Sequence, residues 1–465
     1  MNAERNSHRY KLILNSDVTV VVIYFLLSIL VIRKLLFFSG ILFFNEVGIP
    51  PFPSLQLQNA KFLLAWNEYD FGSILTRQTS LYTRSLQILT GMVGLDGATV
   101  TTLFILFNLG LSGCSMFYLT KMLGLPKSAS FLSGLFYMFN PFLFHEIVYG
   151  HIPDFIFAYS SFPILFSLLV KSFKERKYSV LLLSIFFVPF ATTTVHMFFF
   201  AITLPPLFLL IVCQGDLRRK TVWIFIYFIL IFSVHSPWIL SNLSSVYERL
   251  AKGGEMYGFS RTTYLSAEPY QAWINTGYVA KDFIEKAGIK LLGNFWYVSG
   301  YAITIFSFMS LLIKPKEKKI LFFSLLLLSV IGIMFIFKTP LGVYFYELYS
   351  FVPLMNVVFR STRPFAYIHA ITLSILLGFS LQHINKKFAK RHLIVTSLMT
   401  LLIFSFGIPF FTGDFGGYYR PYDYQPYEDM VNYLTNEQEA VGRVMLYPPD
   451  KHVRYDPTNS LWEEE

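Results

Sequence analysis

Charged residues are scarce in this chain: they make up 14% of its 465 residues, while 54% of the residues are hydrophobic. Soluble domains carry roughly a quarter charged residues, so a single aqueous core is excluded. Apolar runs of about 18 or more residues predict transmembrane helices, because a helix satisfies its own backbone hydrogen bonds in hydrocarbon. Short segments of alternating hydrophobicity, which a transmembrane β-barrel needs, are missing. The sequence therefore predicts an all-α integral membrane protein.

Motifs for several common activities are missing as well. The sequence has no Walker motif, GxGxxG, DxD pair, HExxH or GxSxG, so ATP-driven pumping and metalloprotease chemistry lack support and we expect no cofactor and no metal. Its two cysteines, Cys114 and Cys213, lie within or beside apolar runs, which favours packing over a disulfide. The first apolar run is long and lacks a small-residue cleavage pattern, which predicts a signal anchor.

The net charge of +10 is concentrated in short basic clusters between apolar runs. This placement is typical of membrane topology, so no nucleic-acid partner is expected. If every cluster is cytoplasmic, the chain crosses the membrane an even number of times between neighbouring clusters. This parity predicts about eleven crossings, with a cytoplasmic N-terminus and an extracytoplasmic C-terminus. The crossings are expected at about 18–40 and 99–120, two within 127–171, two short or tilted ones within 177–218, and at about 221–240, 294–313, 320–337, 364–383 and 393–411.

Residues 1–411 are thus expected to form a polytopic domain in the cell membrane, in contact with membrane lipid. Its outside loops are predicted at about 45–97, 241–293 and 338–363. Residues 412–465 are polar and aromatic, and are predicted to form an extracytoplasmic tail. Within it, VGRVMLYPPD, residues 441–450, predicts one β-strand that ends at prolines. Because one β-strand cannot stand alone, this tail either packs on the membrane portion or begins a soluble domain of a longer protein.

Charged residues also occur where the first crossing ends. Glu46 follows the long apolar run in the stretch FFNEVGIPPFPS, residues 43–54. It is either a solvated loop acid or a carboxylate facing a wet cavity. Arg33 and Lys34 precede it, within the outer half of the crossing. They either snorkel to the lipid headgroups or face an anionic ligand.

A second polar group lies in HEIVYGHIPDF, which contains His145, Glu146, His151 and Asp154. Their spacing does not match a standard zinc or di-iron site. They either hydrate a turn between two helices or line a polar cavity. His196 is expected at the next outside turn, where it could approach the same cavity.

A third group is VVFRSTRPF, in which Arg360 and Arg363 precede an apolar span that Pro364 is expected to begin. Two arginines on the outer face oppose the usual excess of positive charge inside. They either anchor the chain at lipid headgroups or bind a phosphate, since a guanidinium group fits phosphate with a bidentate fork.

Several of these stretches together resemble a known superfamily. They are NEVGIPPFP, WNEYDFG, FYMFNPFLF, GHIPDF, AYSSFPILF and FRSTRPF. The pattern resembles the GT-C superfamily of polytopic glycosyltransferases, in particular arabinofuranosyltransferase-like and YfhO-like membrane proteins. The resemblance implies a polyprenyl-phosphate sugar donor and a glycan, lipid or protein acceptor. It also implies an acidic general base in the first outside loop, where this chain has Glu46 instead of the usual Asp. We expect the substrate-binding residues to be His151, Asp154, His196, Arg360 and Arg363.

Two other classes of function stay open on the sequence alone. Broken helices and intramembrane histidines also suit a transporter or a lipid flippase, although no matched repeats are evident in the two halves. A non-catalytic cell-envelope assembly protein on the same scaffold is the third alternative, because the first loop has few acids.

Overall fold

The structure is a computed structural model that describes residues 17–36, 81–151, 154–251, 266–276, 286–350, 362–388 and 392–413, together with short pieces at 41–42, 57, 66–67, 73–74, 415, 421–422, 453–455 and 462–464. Glu46 and Arg360 lie outside these described residues. The predictions that Glu46 is the catalytic base and that Arg360 binds substrate are therefore not tested by the fold.

Helices dominate the described chain. They are α1 Asp17–Ile32, α2 Leu81–Met92, α3 Gly97–Met122, α4 Lys127–Met138, α5 Pro141–Val148, α6 Asp154–Glu175, α7 Tyr178–Leu182, α8 Ser184–Ala191, α9 Val195–Ile211, α10 Leu217–Ala251, α11 Pro269–Ile274, α12 Lys286–Leu292, α13 Phe295–Ile313, α14 Lys318–Phe335, α15 Gly342–Ser350, α16 Phe365–Lys387 and α17 His392–Phe406. Short 3₁₀ helices follow at Ile336–Lys338 and Ile408–Thr412.

Three antiparallel strand pairs complete the described elements. The strands are β1 Ile41–Leu42, β2 Trp66–Asn67, β3 Ser73–Ile74, β4 Pro421–Tyr422, β5 Val453–Tyr455 and β6 Trp462–Glu464, paired β1 with β4, β2 with β3 and β5 with β6. Each strand has only two or three residues, so they fasten chain segments together and do not form a core.

In the part of the chain that the structure describes, six helical segments are long and apolar enough to cross a membrane. They are Gly97–Met122, Lys127–Val148, Asp154–Glu175, Phe295–Ile313, Lys318–Lys338 and Phe365–Lys387. Shorter apolar helices occupy Asp17–Ile32, Tyr178–Ala191, His196–Ile211 and His392–Phe406. The multi-pass membrane architecture is thus confirmed. Short apolar helices lie within 177–218, where two short or tilted crossings are predicted, and whether they cross the membrane stays a prediction. The full count of about eleven crossings and the sidedness of the termini stay predictions.

The predicted loops contain more helix than the sequence indicated. Helix α10 continues to Ala251, past the predicted start of the outside loop at residue 241, and two short helices, α11 and α12, lie within that loop. Helix α15 likewise lies within the loop predicted at 338–363. Polar residues in these segments masked the helical pattern, since a sequence search for crossings looks for uninterrupted apolar runs.

Small residues allow the central helices to approach closely. Helix α3 packs against α1, α4 and α6, and α16 packs against α4, α13 and α14. A methyl group added at Gly134 of α4 would lie 2.2 Å from the Tyr24 hydroxyl oxygen and 2.5 Å from the Gly113 carbonyl oxygen. The Tyr24 hydroxyl donates to the Phe131 carbonyl oxygen over 2.7 Å. In lipid the hydrophobic effect does not drive helices together, so they associate through close packing and interhelical hydrogen bonds. Glycine is needed at position 134 because any side chain would prevent this close approach.

Helices α4 and α6 are joined by a reciprocal tyrosine pair. Each hydroxyl of Tyr137 and Tyr159 donates to the other residue's backbone carbonyl oxygen over 2.8 Å, and the two rings stack 4.0 Å apart. Tyr367 of α16 lies 5.9 Å from the Tyr159 ring. This contact fixes the relative position of the three helices whose ends carry the candidate site.

The end of α1 is fastened to the beginning of the predicted tail. The Arg33 guanidinium donates to the Leu30 carbonyl oxygen over 2.8 Å and to the Phe411 carbonyl oxygen over 2.9 Å. Further along, Ile41 pairs with Tyr422 between β1 and β4. Arg33 therefore binds backbone carbonyls, and the start of the tail packs against the chain that follows the first crossing.

Candidate functional site

A buried ion pair between Arg363 and Glu146 is the centre of the candidate site. The guanidinium Nε donates to Glu146 Oε1 over 2.9 Å, and Nη2 donates to Oε2 over 2.6 Å. This is the bidentate geometry in which an arginine fork matches a carboxylate. The Glu146 side chain has no exposure, and that of Arg363 is 13% exposed. Both charges are thus held in fixed positions inside the protein.

The local chain geometry around Gly150 explains why His151 joins this pair. Helix α5 begins at the Asn140-Pro141 break, where the Asn140 side chain accepts a hydrogen bond from the Phe142 amide over 2.9 Å. It ends in a Schellman motif: the His151 amide donates to the Glu146 carbonyl oxygen over 3.1 Å, with Gly150 at φ +80°. The turn folds His151 back over the last turn of α5. Its ring nitrogen Nδ1 then lies 3.3 Å from Glu146 Oε2.

Aromatic side chains enclose the arginine. The Arg363 guanidinium lies 5.4 Å from the centre of the Tyr149 ring and 5.1 Å from that of Phe155, both within cation–π range. The same guanidinium contacts the His151 ring, which stacks on Tyr149 at 4.6 Å. The Tyr367 hydroxyl donates to Glu146 Oε2 over 3.1 Å. The network therefore draws on α5, the turn after it, α6 and α16.

A set of buried polar atoms extends around α5. The Asn275 side chain donates to Asn140 Oδ1 over 3.1 Å. Within the described part of the chain, the atoms Asn140 Nδ2, Asn275 Oδ1, Thr276 Oγ1 and both His145 ring nitrogens have no hydrogen-bond partner. Buried polar atoms without partners are costly, so such a set marks a place for water or a polar ligand.

The predicted site residues are distributed as follows. His151 and Arg363 meet in the network described above. Asp154 begins α6, and its backbone carbonyl accepts a hydrogen bond from the Thr193 hydroxyl over 2.5 Å. Thr193 lies just before α9, which carries His196 in its first turn. The starts of α6 and α9 are therefore adjacent, and they place Asp154 and His196 near the same end of the bundle as His151.

The sequence did not identify Glu146 as the partner of Arg363. The position of Glu146 in an apolar run did indicate that it is paired or functional, as ionisable residues in membrane helices usually are. The partner itself lies 217 residues away, so local spacing could not find it. Tyr367 and Tyr149 were missed for a related reason, since aromatic residues in apolar helices are common.

The geometry around Glu146 is that of a carboxylate paired with an arginine. Both carboxylate oxygens face the Arg363 guanidinium. Among the residues that the structure describes, no three His, Cys, Asp or Glu side chains converge as metal ligands.

Comparison with known proteins places the fold. No protein-family model matches the chain, and no curated protein matches its sequence. Among solved structures it is similar to the cryo-EM structure of the arabinofuranosyltransferase AftD from Mycobacteria, with a TM-score of 0.61 and 13% identity. The match covers 90% of this chain and 28% of that one, so this chain spans just over a quarter of that protein. The chain therefore shares the fold of part of that arabinofuranosyltransferase, which confirms the fold resemblance that the sequence suggested.

Proposed function

We propose that this chain is a membrane glycosyltransferase that moves a sugar from a polyprenyl-phosphate donor to an extracytoplasmic glycan, lipid or protein acceptor. The fold similarity to a membrane arabinofuranosyltransferase supports this class of activity. The observation that carries the proposal is the Arg363 guanidinium, held rigidly by Glu146 at the helix ends. A fixed guanidinium suits the phosphate of a donor whose lipid tail stays in the bilayer.

In this proposal the Arg363 guanidinium binds the phosphate group that leaves the sugar. A guanidinium carries five N–H donors; Glu146 accepts two of them, and the His151 ring contacts Nη1 and Nη2. Glu146 is a positioning residue in this scheme, because its carboxylate fixes the orientation of the guanidinium. A preorganised donor of this kind stabilises charge as it develops in the transition state. His151, Asp154, His196 and Arg360 are proposed to complete the substrate-binding surface.

The chemical step is a single displacement. The oxygen of an acceptor hydroxyl attacks the anomeric carbon, and the bond from that carbon to the phosphate oxygen breaks. Its electron pair leaves with the phosphate, which departs as polyprenyl phosphate. The hydroxyl proton passes to a carboxylate, for which we propose Glu46. One displacement inverts the anomeric centre.

The buried polar atoms around α5 give the sugar a place to bind. Asn140, Asn275 and Thr276 offer donors and acceptors that hydroxyl groups can satisfy. Such polar groups discriminate strongly against ligands that lack the matching hydroxyl, because an unpaired buried group is penalised. Sugar selectivity is therefore proposed to reside in this set.

A transfer assay on the purified chain in liposomes tests the proposal. The donors are radiolabelled polyprenyl phosphates carrying arabinofuranose, glucose, mannose or galactose, and the acceptors are octyl-tailed oligosaccharides. We expect labelled product with at least one donor, together with release of polyprenyl phosphate. Movement of labelled donor across the bilayer without product would instead establish a transporter. A folded protein that does neither would favour the alternative of a non-catalytic assembly protein.

The role of Glu46 is tested separately. Glu46→Gln keeps the size of the side chain and removes the base, so transfer is expected to fall by about 10² to 10⁴-fold. Unchanged transfer would refute the role of Glu46 and leave the glycosyltransferase assignment standing.

A further inference from the structure

A second polar cavity lies at the opposite end of α6 from the Arg363 site. Its volume is about 440 Å³, and four cationic side chains line it: Lys174, Arg176, Arg219 and Lys319. Phe155, beside Arg363, and Phe173, in the cavity wall, are separated along α6 by roughly 27 Å of helix rise. The cavity is therefore distinct from the candidate active site.

Two ammonium groups are fixed on the end of α3. Lys174 Nζ donates to the Met122 carbonyl oxygen over 2.6 Å, and Lys319 Nζ donates to the neighbouring Leu123 carbonyl oxygen over 2.7 Å. These bonds hold two like charges close together at consecutive carbonyl groups. Each bond uses one of the three donors of an ammonium group, which leaves donors for a ligand.

The arginines are also held in place. The Arg219 guanidinium stacks 4.4 Å from the centre of the Phe173 ring and donates to the Phe173 carbonyl oxygen. Arg176 follows the end of α6 with φ +58°, a backbone conformation that favours glycine. The chain thus has an arginine at a position where glycine would be less strained.

The cavity lining contains no carboxylate among the described residues. The nearest acids along the chain are committed elsewhere. Glu175 lies 3.9 Å from the Lys171 ammonium and 3.6 Å from that of Lys177, and Asp216 accepts a hydrogen bond from the Arg219 amide over 3.4 Å. Four positive charges converging without a counter-charge in the wall favour an anionic ligand.

Part of the cavity wall is apolar. Phe173, Phe208 and Val212 line it, near the ends of two apolar helices. A free phosphate ion would gain nothing from this wall, whereas the glycerol and upper acyl region of a lipid would bury against it. Basic pockets between helices near the membrane surface are suited to anionic headgroups.

We propose that this cavity binds the phosphate group of an anionic membrane phospholipid. The proposal stands independently of the glycosyltransferase assignment. The lipid phosphate is bound by Lys174, Lys319 and Arg219 at the rim, with Arg176 closing one side. Bound lipid would join the ends of α3, α6, α9 and α14.

Native mass spectrometry of delipidated protein in detergent tests the proposal. Wild-type protein is titrated with phosphatidylglycerol, with phosphatidylcholine, and with inorganic phosphate. We expect one phosphatidylglycerol bound in preference to phosphatidylcholine. The double variant Lys174→Gln/Lys319→Gln is expected to lose about 30-fold in affinity for it. Arg176→Gly should also weaken binding, at a position where glycine is compatible with the fold.

The matched control is Lys386→Gln/Lys387→Gln, which removes the same charge at two exposed positions at the end of α16, outside the cavity wall. It is expected to bind phosphatidylglycerol as wild type does. Equal loss in the control and cavity variants would overturn the proposal in favour of general surface attraction. The proposal would also be overturned if wild-type protein bound phosphatidylcholine, or inorganic phosphate, as tightly as it binds phosphatidylglycerol.

Discussion

The two ends of helix α6 hold their positive charge in different ways. At the Asp154 end, Arg363 is almost buried and is paired by both oxygens of Glu146. At the Glu175 end, lysines and arginines line an open cavity whose wall has no acid among the described residues. The first arrangement fixes one cation for a defined geometry. The second arrangement leaves several cations for an anion that comes from outside the chain.

The largest effect is expected from breaking the buried pair. Glu146→Gln leaves the Arg363 charge buried without its partner, which typically costs about 3–5 kcal/mol. Thermal unfolding in detergent measures the loss. The control is Glu175→Gln at the other end, whose half-exposed carboxylate forms surface ion pairs worth about 1 kcal/mol or less. Equal losses in the two variants would show that the Glu146–Arg363 pair contributes no more to stability than the surface pairs of Glu175 do.

A smaller effect is expected between the two ends, at the tyrosine pair that joins α4 to α6. Tyr137→Phe removes the hydroxyl that donates to the Tyr159 carbonyl oxygen. The expected loss of unfolding free energy is about 1 kcal/mol, because the ring and its stacking remain. Tyr178→Phe is a matched control, since that side chain is exposed. An unchanged unfolding free energy for Tyr137→Phe would show that this hydrogen bond does not help to hold α4 against α6.

The smallest effect on stability is expected at the basic end. Arg176→Gly relieves a left-handed backbone at a residue with a side chain, and this gain is partly offset by the greater freedom of glycine in the unfolded chain. The free energy of unfolding should stay within about 1 kcal/mol of wild type. A large loss would mean that Arg176 serves the fold and not the cavity.

The sequence predicted the membrane architecture well, because long apolar runs and clustered lysines are local patterns. The basic cavity arises from those same clusters, although the sequence did not indicate a cavity. The site was predicted only in part. His151 and Arg363 were proposed together as substrate-binding residues, but the tie between Arg363 and Glu146 spans 217 residues and depends on how α5 and α16 pack.

Irregular segments account for the remaining differences. The predicted loop at 241–293 contains helical turns. The sequence did not predict them, because polar residues interrupt the apolar pattern there. Asn275, at φ +56°, ends α11 within that region and reaches Asn140. No periodicity connects these two asparagines, so only the folded backbone brings them together.

The central claim is that the Arg363 fork binds the phosphate of a sugar donor, and the transfer rate of Arg363→Lys tests it most directly. The variant keeps the charge and loses the fork, so kcat for radiolabelled sugar transfer should fall by about 10² to 10³-fold. Arg218→Lys, an exposed change at the other end, should leave kcat unchanged. Wild-type kcat in a folded Arg363→Lys protein would contradict the claim.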